Sequence, residues 1–216
     1  MYSVPMALAD FIPVLLFGAA AVLLQRDLYS KMVKGAYALF AAGTINVFMA
    51  GFLKALYKLL YALEVCDFQP LTQMFFPLQA LGFLMAGCGA LYIGTKKAKG
   101  EKAFAVAALP VYKGTFVFVG LMVAGLGMMD FGLVRTAKKM RQPLACTLFI
   151  VSFVFSLGMG YLSSKDFSQS YMNWVAELVN IIGQASFFAA ALILHKAGLA
   201  EYIPAEEEPA GNQPAE

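Results

Sequence analysis

The chain is 216 residues long with a formal net charge of +3, and it is 61% hydrophobic and only 13% charged; soluble globular domains run at roughly 45–50% apolar and about 25% charged. At a mean hydropathy of +0.71 there is too little polar surface to cover a soluble particle, so the sequence reads as an integral membrane protein whose principal contact is the lipid bilayer. Its basic residues stand in short clusters between apolar runs, as membrane flanks do, which removes nucleic acid from the expected partners. Three cysteines, Cys66, Cys88 and Cys146, imply no disulfide framework.

A bilayer core about 30 Å thick takes roughly 20 apolar residues in helical form, because lipid satisfies no backbone polar group. The first such run extends from about Leu8 to Leu24, the second from about Gly35 to Leu53, and the third from about Leu71 to Gly94. A fourth lies between Ala103 and Val134, the fifth runs from Pro143 to Leu162, and the sixth from about Met172 to Leu194. The runs are continuous rather than alternating, so the expected fold class is an all-α polytopic transmembrane helix bundle and not a β-barrel. No Lys or Arg precedes the first run and Gln25, Arg26 and Asp27 follow it, the pattern of a retained helix rather than a cleaved signal. Arg26, Lys31 and Lys34 follow the first span and Lys96, Lys97, Lys99 and Lys102 the third, while Glu64 and Asp67 lie between the second and third. The positive-inside rule then puts the N-terminus outside. Lys54 and Lys58 recur at helical spacing beyond the second run and read as snorkelling heads of an interfacial continuation to about Leu63.

The stretch from Ala103 to Val134 is 32 residues, about 48 Å as one helix, too long for one perpendicular crossing and too short for two full ones. A single crossing gives six spans and leaves Arg135, Lys138, Lys139 and Arg141 outside, against the charge rule. A short seventh piece over Glu101 to Tyr112, broken at Pro110 and Gly114, returns that loop to the cytoplasm. An internal repeat bears on the choice. A shift of 109 positions superposes Val14, Gly18, Leu24, Arg26, Ala36, Leu39, Phe40, Gly51 and Leu53 on identical residues, nine identities over forty positions. Two parallel three-helix units joined by a linker helix would explain it, and transporters built from repeats place their site at the repeat interface. After Leu199 the chain turns acidic and proline-containing, with Glu206, Glu207 and Glu208, so residues 1–200 read as one bundle and 201–216 as a disordered tail.

Ionisable and amide side chains inside a span are costly and face a partner or a cavity. Glu177, Asn180 and Gln184 fall within about 60° of arc on the last helix, Trp174 borders that arc, and His195 returns to it five turns later. On the third span Gln79 is the companion amide, and a shift of 101 positions puts Gln79 and Gly82 onto Asn180 and Gly183. Asn46 adds a polar contact from the second span. Glu177, Asn180, Gln184, Gln79, Trp174 and Asn46 are therefore the expected substrate path, and Glu177, His195, Lys113 and Asp130 the expected proton or gating groups. Interhelical hydrogen bonding is the alternative role for the same amides. Gly82, Ala86 and Ala90, and Gly120 with Ala124, would allow close helix approach, within one chain or in a homo-oligomer.

No zinc-spaced Cys/His set, His-Glu-x-x-His helix, nucleophile elbow or P-loop occurs, so no cofactor and no catalytic residue is expected. The stretch from Gly82 to Tyr92, with Phe104 to Pro110 and the Trp174–Glu177 pair, resembles the six-helix urea and amide channels, although the spacing and flanking aromatics of the last helix differ. A three-plus-one-plus-three plan is similar to that of the SWEET sugar transporters, without their proline pattern. Both resemblances imply permeation of a small solute. The expected function is thus a transporter or channel for a small polar solute, between the third and sixth spans, in a bacterial cytoplasmic membrane. A sensor or receptor-like bundle working through a separate partner is the alternative.

Overall fold

The computed structural model describes residues 3–94, 115–162 and 170–202, and among these the regular structure is entirely helical. The elements are α1 (Val4–Ala9), α2 (Phe11–Leu28), α3 (Lys34–Ala62), α4 (Pro70–Gln73), α5 (Phe75–Ala90), α6 (Thr115–Lys139), α7 (Pro143–Leu162) and α8 (Ser170–Lys196). Among the described residues six stretches are long and apolar enough to cross a bilayer, with α1 and α2 forming one and α4 and α5 another. Their ends follow local chemistry. Prolines that need no N–H donor open α4 and α7. Basic side chains close α2, α6 and α8, where the helix dipole is negative. Gly198, at φ 80°, takes the left-handed turn that caps α8.

Three boundaries differ from the sequence expectation. The second span continues without interruption through Ala62, so Lys54 and Lys58 sit on a membrane-crossing helix rather than on a separate interfacial one. The first span bends at Asp10, between α1 and α2, and the third is interrupted at Met74, ahead of α5.

The direction of each helix follows from the pairs that touch. Gly18 meets Phe48 and Gly51 meets Val14, so α2 and α3 are antiparallel; Gly82 on Val47 and Gly89 on Phe40 make α3 and α5 antiparallel too. By contrast α5 and α6 are parallel, with Gly125 against Phe83 and Leu84 and Gly132 against Ala90. Gly127 against Phe153 and Gly158 against Val179 set α6–α7 and α7–α8 antiparallel. Finally α8 lies parallel to α2, through Phe17 on Phe187 and Asp27 on His195. Each spanning helix packs on the next in sequence and the last packs on the first, a closed ring of six.

Within this ring α2, α3 and α5 form one up-down-up unit and α6, α7 and α8 a second in the same orientation. Burial repeats with the 109-residue shift: Leu24 and Leu133, Ala36 and Ala145, and Phe40 and Phe149 are all at most 1% exposed. The third helices repeat at 101 residues, with Gly82 and Gly183, Ala86 and Phe187, Gly89 and Ala190, and Ala90 and Ala191 all buried. The units are thus related by an approximate two-fold rotation about the bundle axis.

Parallel α5 and α6 place the end of α5 and the start of α6 on opposite faces of the bundle. The seventh piece expected over Glu101–Tyr112, like the acidic tail beyond Tyr202, lies outside the described residues. The flanks nevertheless resolve the charge conflict. The Gly94 amide donates to the Lys31 carbonyl at 2.9 Å, and Lys31, Gly94, Thr136, Lys139 and Tyr202 surround one small crevice. The loop holding Lys138, Lys139 and Arg141 therefore shares a face with Arg26, Lys31 and Lys34, opposite the face that carries the N-terminus.

Close packing consumes the small residues of α5: Gly82, Ala86 and Ala90 are buried between α3 and α6. They are unavailable to a second chain, whereas Gly120 and Ala124 are exposed on the outer face of α6.

Candidate functional site

The half of the ring toward the N-terminal face encloses a cavity of about 390 Å³ to which all six spanning segments contribute. Its lining obeys the repeat. Asp10 and Val119, Pro13 and Met122, Val14 and Val123, Phe17 and Leu126, Val47 and Ser156, and Gly51 and Gly160 are lining pairs 109 residues apart. Phe75 and Ala176, Phe76 and Glu177, Gln79 and Asn180, and Phe83 and Gln184 are lining pairs 101 apart. The cavity therefore lies on the two-fold axis, between the units.

Chemistry breaks the symmetry that the backbone keeps. Asp10 and Lys58 form an ion pair at 2.5 Å, with side chains 7% and 15% exposed. Lys54 holds its Nζ 3.9 Å from the centroid of the Phe75 ring, a cation–π contact that offsets part of its lost hydration. Glu177 is 6% exposed and its carboxyl faces that of Asp10, with both lysines nearby. The Oε1 atoms of Glu177 and Gln79 are buried and accept no hydrogen bond from the described residues. These charged groups come from α3, α8 and the α1–α2 bend, which adjoin in the ring. Across from them α6 and α7 supply Val119, Met122, Val123, Leu126, Ser156 and Met159, and α5 supplies Phe76, Gln79 and Phe83 beside the Phe75 ring that Lys54 touches. The charges stand on one wall, and the facing wall is apolar apart from Gln79 and Ser156.

Beneath the cavity the bundle is filled. Phe17 stacks on Phe187 at 5.6 Å between centroids, Phe83 approaches Phe17 edge-on at 6.3 Å, and Phe149 meets Phe187 at 5.5 Å. Leu24, Leu28, Met129, Leu133 and Leu194, all at most 1% exposed, continue the plug. At the basic face α2 and α8 are joined by His195 Nδ1 at 2.8 Å from Asp27 Oδ2, with the Arg26 guanidinium 3.1 Å from His195 Nε2. Gln25 donates to Thr44 at 2.7 Å and ties α2 to α3.

Of the expected path residues the structure gathers Gln79, Glu177, Asn180 and Gln184 around the cavity. Two others lie elsewhere: Trp174 is 44% exposed on the outside of α8, and Asn46 points at Met85 Sδ, 4.0 Å away on α5. Among the expected gating groups only Glu177 lines the cavity. His195 sits at the far face with Asp27, and Lys113 is outside the described residues. Asp130 is buried one turn beyond the lining residue Leu126, with neither carboxylate oxygen hydrogen-bonded to a described residue.

The expected path left out Asp10, Lys54 and Lys58, all of which line the cavity. Val47, Gly51, Lys54 and Lys58 follow the three-to-four-residue stripe of one helix face, which was the available signal; reading the lysines as snorkelling hid it. Among the described residues no three His, Cys, Asp or Glu side chains are grouped to hold a metal ion. Comparison with family models, curated proteins and solved structures gives no match.

Proposed function

We propose that this membrane protein is a transporter for a small polar solute, with the cavity between its two three-helix units as the solute site. The observation that carries this reading is the pairing of a cavity that sets charged and amide groups among apolar ones in one half of the bundle with a tightly packed plug in the other. A continuous pore needs no such plug, whereas a carrier that exposes its site to one side at a time does. Repeat units flanking a central site can rock against each other and exchange the open half for the closed one. The contacts that would have to part are local: the Phe17–Phe187 stack and the Asp27–His195 pair, both between α2 and α8. By the positive-inside rule the basic face is cytoplasmic, so the cavity belongs to the outward-facing half.

Gln79, Asn180 and Gln184 supply amide donors and acceptors that replace hydration, while Glu177 supplies a charge. Such contacts must hold a solute without trapping it. The test is solute-driven light scattering of liposomes reconstituted with the purified chain, against a panel of small polar solutes, with Glu177→Gln beside the native protein. Flux that exceeds empty liposomes and changes with Glu177→Gln supports the reading. Folded protein that gives no flux for any solute refutes it, and shifts attention to a sensor that works through a separate partner.

A further inference from the structure

We propose that the cavity selects a zwitterion, a small molecule carrying one carboxylate and one ammonium group on an apolar body, as an α-amino acid does. This rests on the cavity being the solute site and goes further by assigning the ligand class.

Among the described residues the ionisable side chains that line the cavity are Asp10, Glu177, Lys54 and Lys58, two acids and two bases. Asp10 and Lys58 neutralise each other directly. That leaves one cation, Lys54, held against the Phe75 ring with no carboxylate in salt-bridge contact among the described residues, and one carboxyl, Glu177, which lies within hydrogen-bonding reach of the Asp10 carboxyl and keeps a buried oxygen that accepts no hydrogen bond from them. A charge held away from water is costly unless it is paired. A neutral solute would leave Lys54 uncompensated, a simple cation would add to its charge, and a simple anion would leave the facing carboxyls of Asp10 and Glu177 with only each other and the lysines. A zwitterion offers a carboxylate to Lys54 and an ammonium to Glu177, and the ammonium would also separate the facing carboxyls of Asp10 and Glu177.

The rest of the cavity agrees. Its ionic wall, from α3, α8 and the α1–α2 bend, stands opposite Val119, Met122, Val123, Leu126 and Met159, so the charged head and the apolar body of the ligand have separate walls to face. In size, about 390 Å³ lies toward the lower end of the roughly 300–1,000 Å³ of small-molecule sites and suits one small solute. The repeat adds an independent mark. Asp10 has Val119 and Glu177 has Phe76 as its counterpart across the two-fold axis, so the charges break the symmetry of the site and fix one orientation of a head-to-tail asymmetric ligand.

The experiment measures binding apart from transport. Full-length protein in detergent is titrated calorimetrically with the twenty standard amino acids and, for the tightest, with its amide, which keeps only the ammonium, and its N-acetyl derivative, which keeps only the carboxylate. At least one zwitterion is expected to bind at least tenfold more tightly than both derivatives. Lys54→Gln should abolish the preference over the amide and keep the preference over the N-acetyl form, and Glu177→Gln should do the reverse. Lys54→Arg should restore the preference over the amide, which separates lost recognition from lost folding. Binding of none of the amino acids, or equal binding of a zwitterion and its capped derivatives, overturns the assignment. Selective binding with no liposome flux removes the transport reading and leaves the zwitterion site. Flux confined to uncharged solutes removes the zwitterion and leaves transport.

Discussion

The parallel contact of α5 and α6 makes the two-unit architecture, and two glycines on α6 test it. A Cβ placed on Gly125 would strike the backbone of Phe83 and Leu84, whereas one placed on Gly120 meets nothing within 4 Å. Neither glycine is needed for its backbone conformation, so Gly→Ala at either site raises intrinsic helix propensity by about 1 kcal/mol. Taking the difference between Gly125→Ala and Gly120→Ala cancels that gain and leaves the packing cost. The obstructing atoms at Gly125 are main chain and cannot rotate away, so the helices must part, and overpacking of this kind costs about 1–3 kcal/mol. Gly120→Ala is expected to be neutral or slightly stabilising, and Gly125→Ala to be less stable than it by about 1–3 kcal/mol, measured by reversible unfolding in mixed detergent micelles. Gly87→Ala should behave like Gly125→Ala, because it meets the Gly125 carbonyl and the Met128 side chain from the other side. Equal stability of the Gly120 and Gly125 variants would refute the parallel packing and, with it, the two-fold arrangement.

Other outcomes follow from the same geometry. Asp10→Asn or Lys58→Met alone removes one member of a largely buried ion pair and should cost up to about 3–5 kcal/mol; the double variant should recover a substantial part of that in the same unfolding assay, and simple additivity would count against the pair. In a background lacking Cys66, Cys88 and Cys146, single cysteines at Gln79, Asn180 and Gln184 should react with a small membrane-impermeant thiol reagent from the N-terminal side. A cysteine at Ala86, 0% exposed, should not, and the reverse order of reactivity would contradict the position of the cavity. His195→Ala leaves the buried Asp27 carboxylate without its 2.8 Å partner and should destabilise the closed face by about 1–3 kcal/mol. Labelling at Gly94→Cys before and after that substitution would register whether the basic face loosens.

Much of this was legible in the residues themselves. Composition forces helices across a bilayer, because apolar runs of this length leave the backbone no other way to satisfy its hydrogen bonds in lipid. Glu177, Asn180 and Gln184 fall on one helical face by spacing alone, and Gln79 and Asn180 correspond under a fixed shift, so four cavity residues could be named before any fold. The repeat, too, was visible as matched residues such as Gly51 and Gly160. Spacing along one helix cannot say which neighbour its polar face meets. It was equally consistent with Trp174 and Asn46 on the path and with Lys54 and Lys58 reaching for headgroups.

Tertiary structure decided those points, because helices in lipid are positioned by the close approach of small residues rather than by a hydrophobic pattern that every face shares. Gly82 and Gly89 seat α5 on α3, and Gly87 and Gly125 lock α5 to α6 in parallel. That contact reverses the direction expected of consecutive antiparallel spans and puts the second unit in the orientation of the first. The bend at Asp10 then brings a carboxylate to Lys58. The sequence by itself determined that this chain lives in a membrane, where five of its apolar spans run, and that Glu177, Asn180 and Gln184 share one helical face. The packing of glycine against backbone decided that two like units surround one cavity, and that its charges stand on one wall.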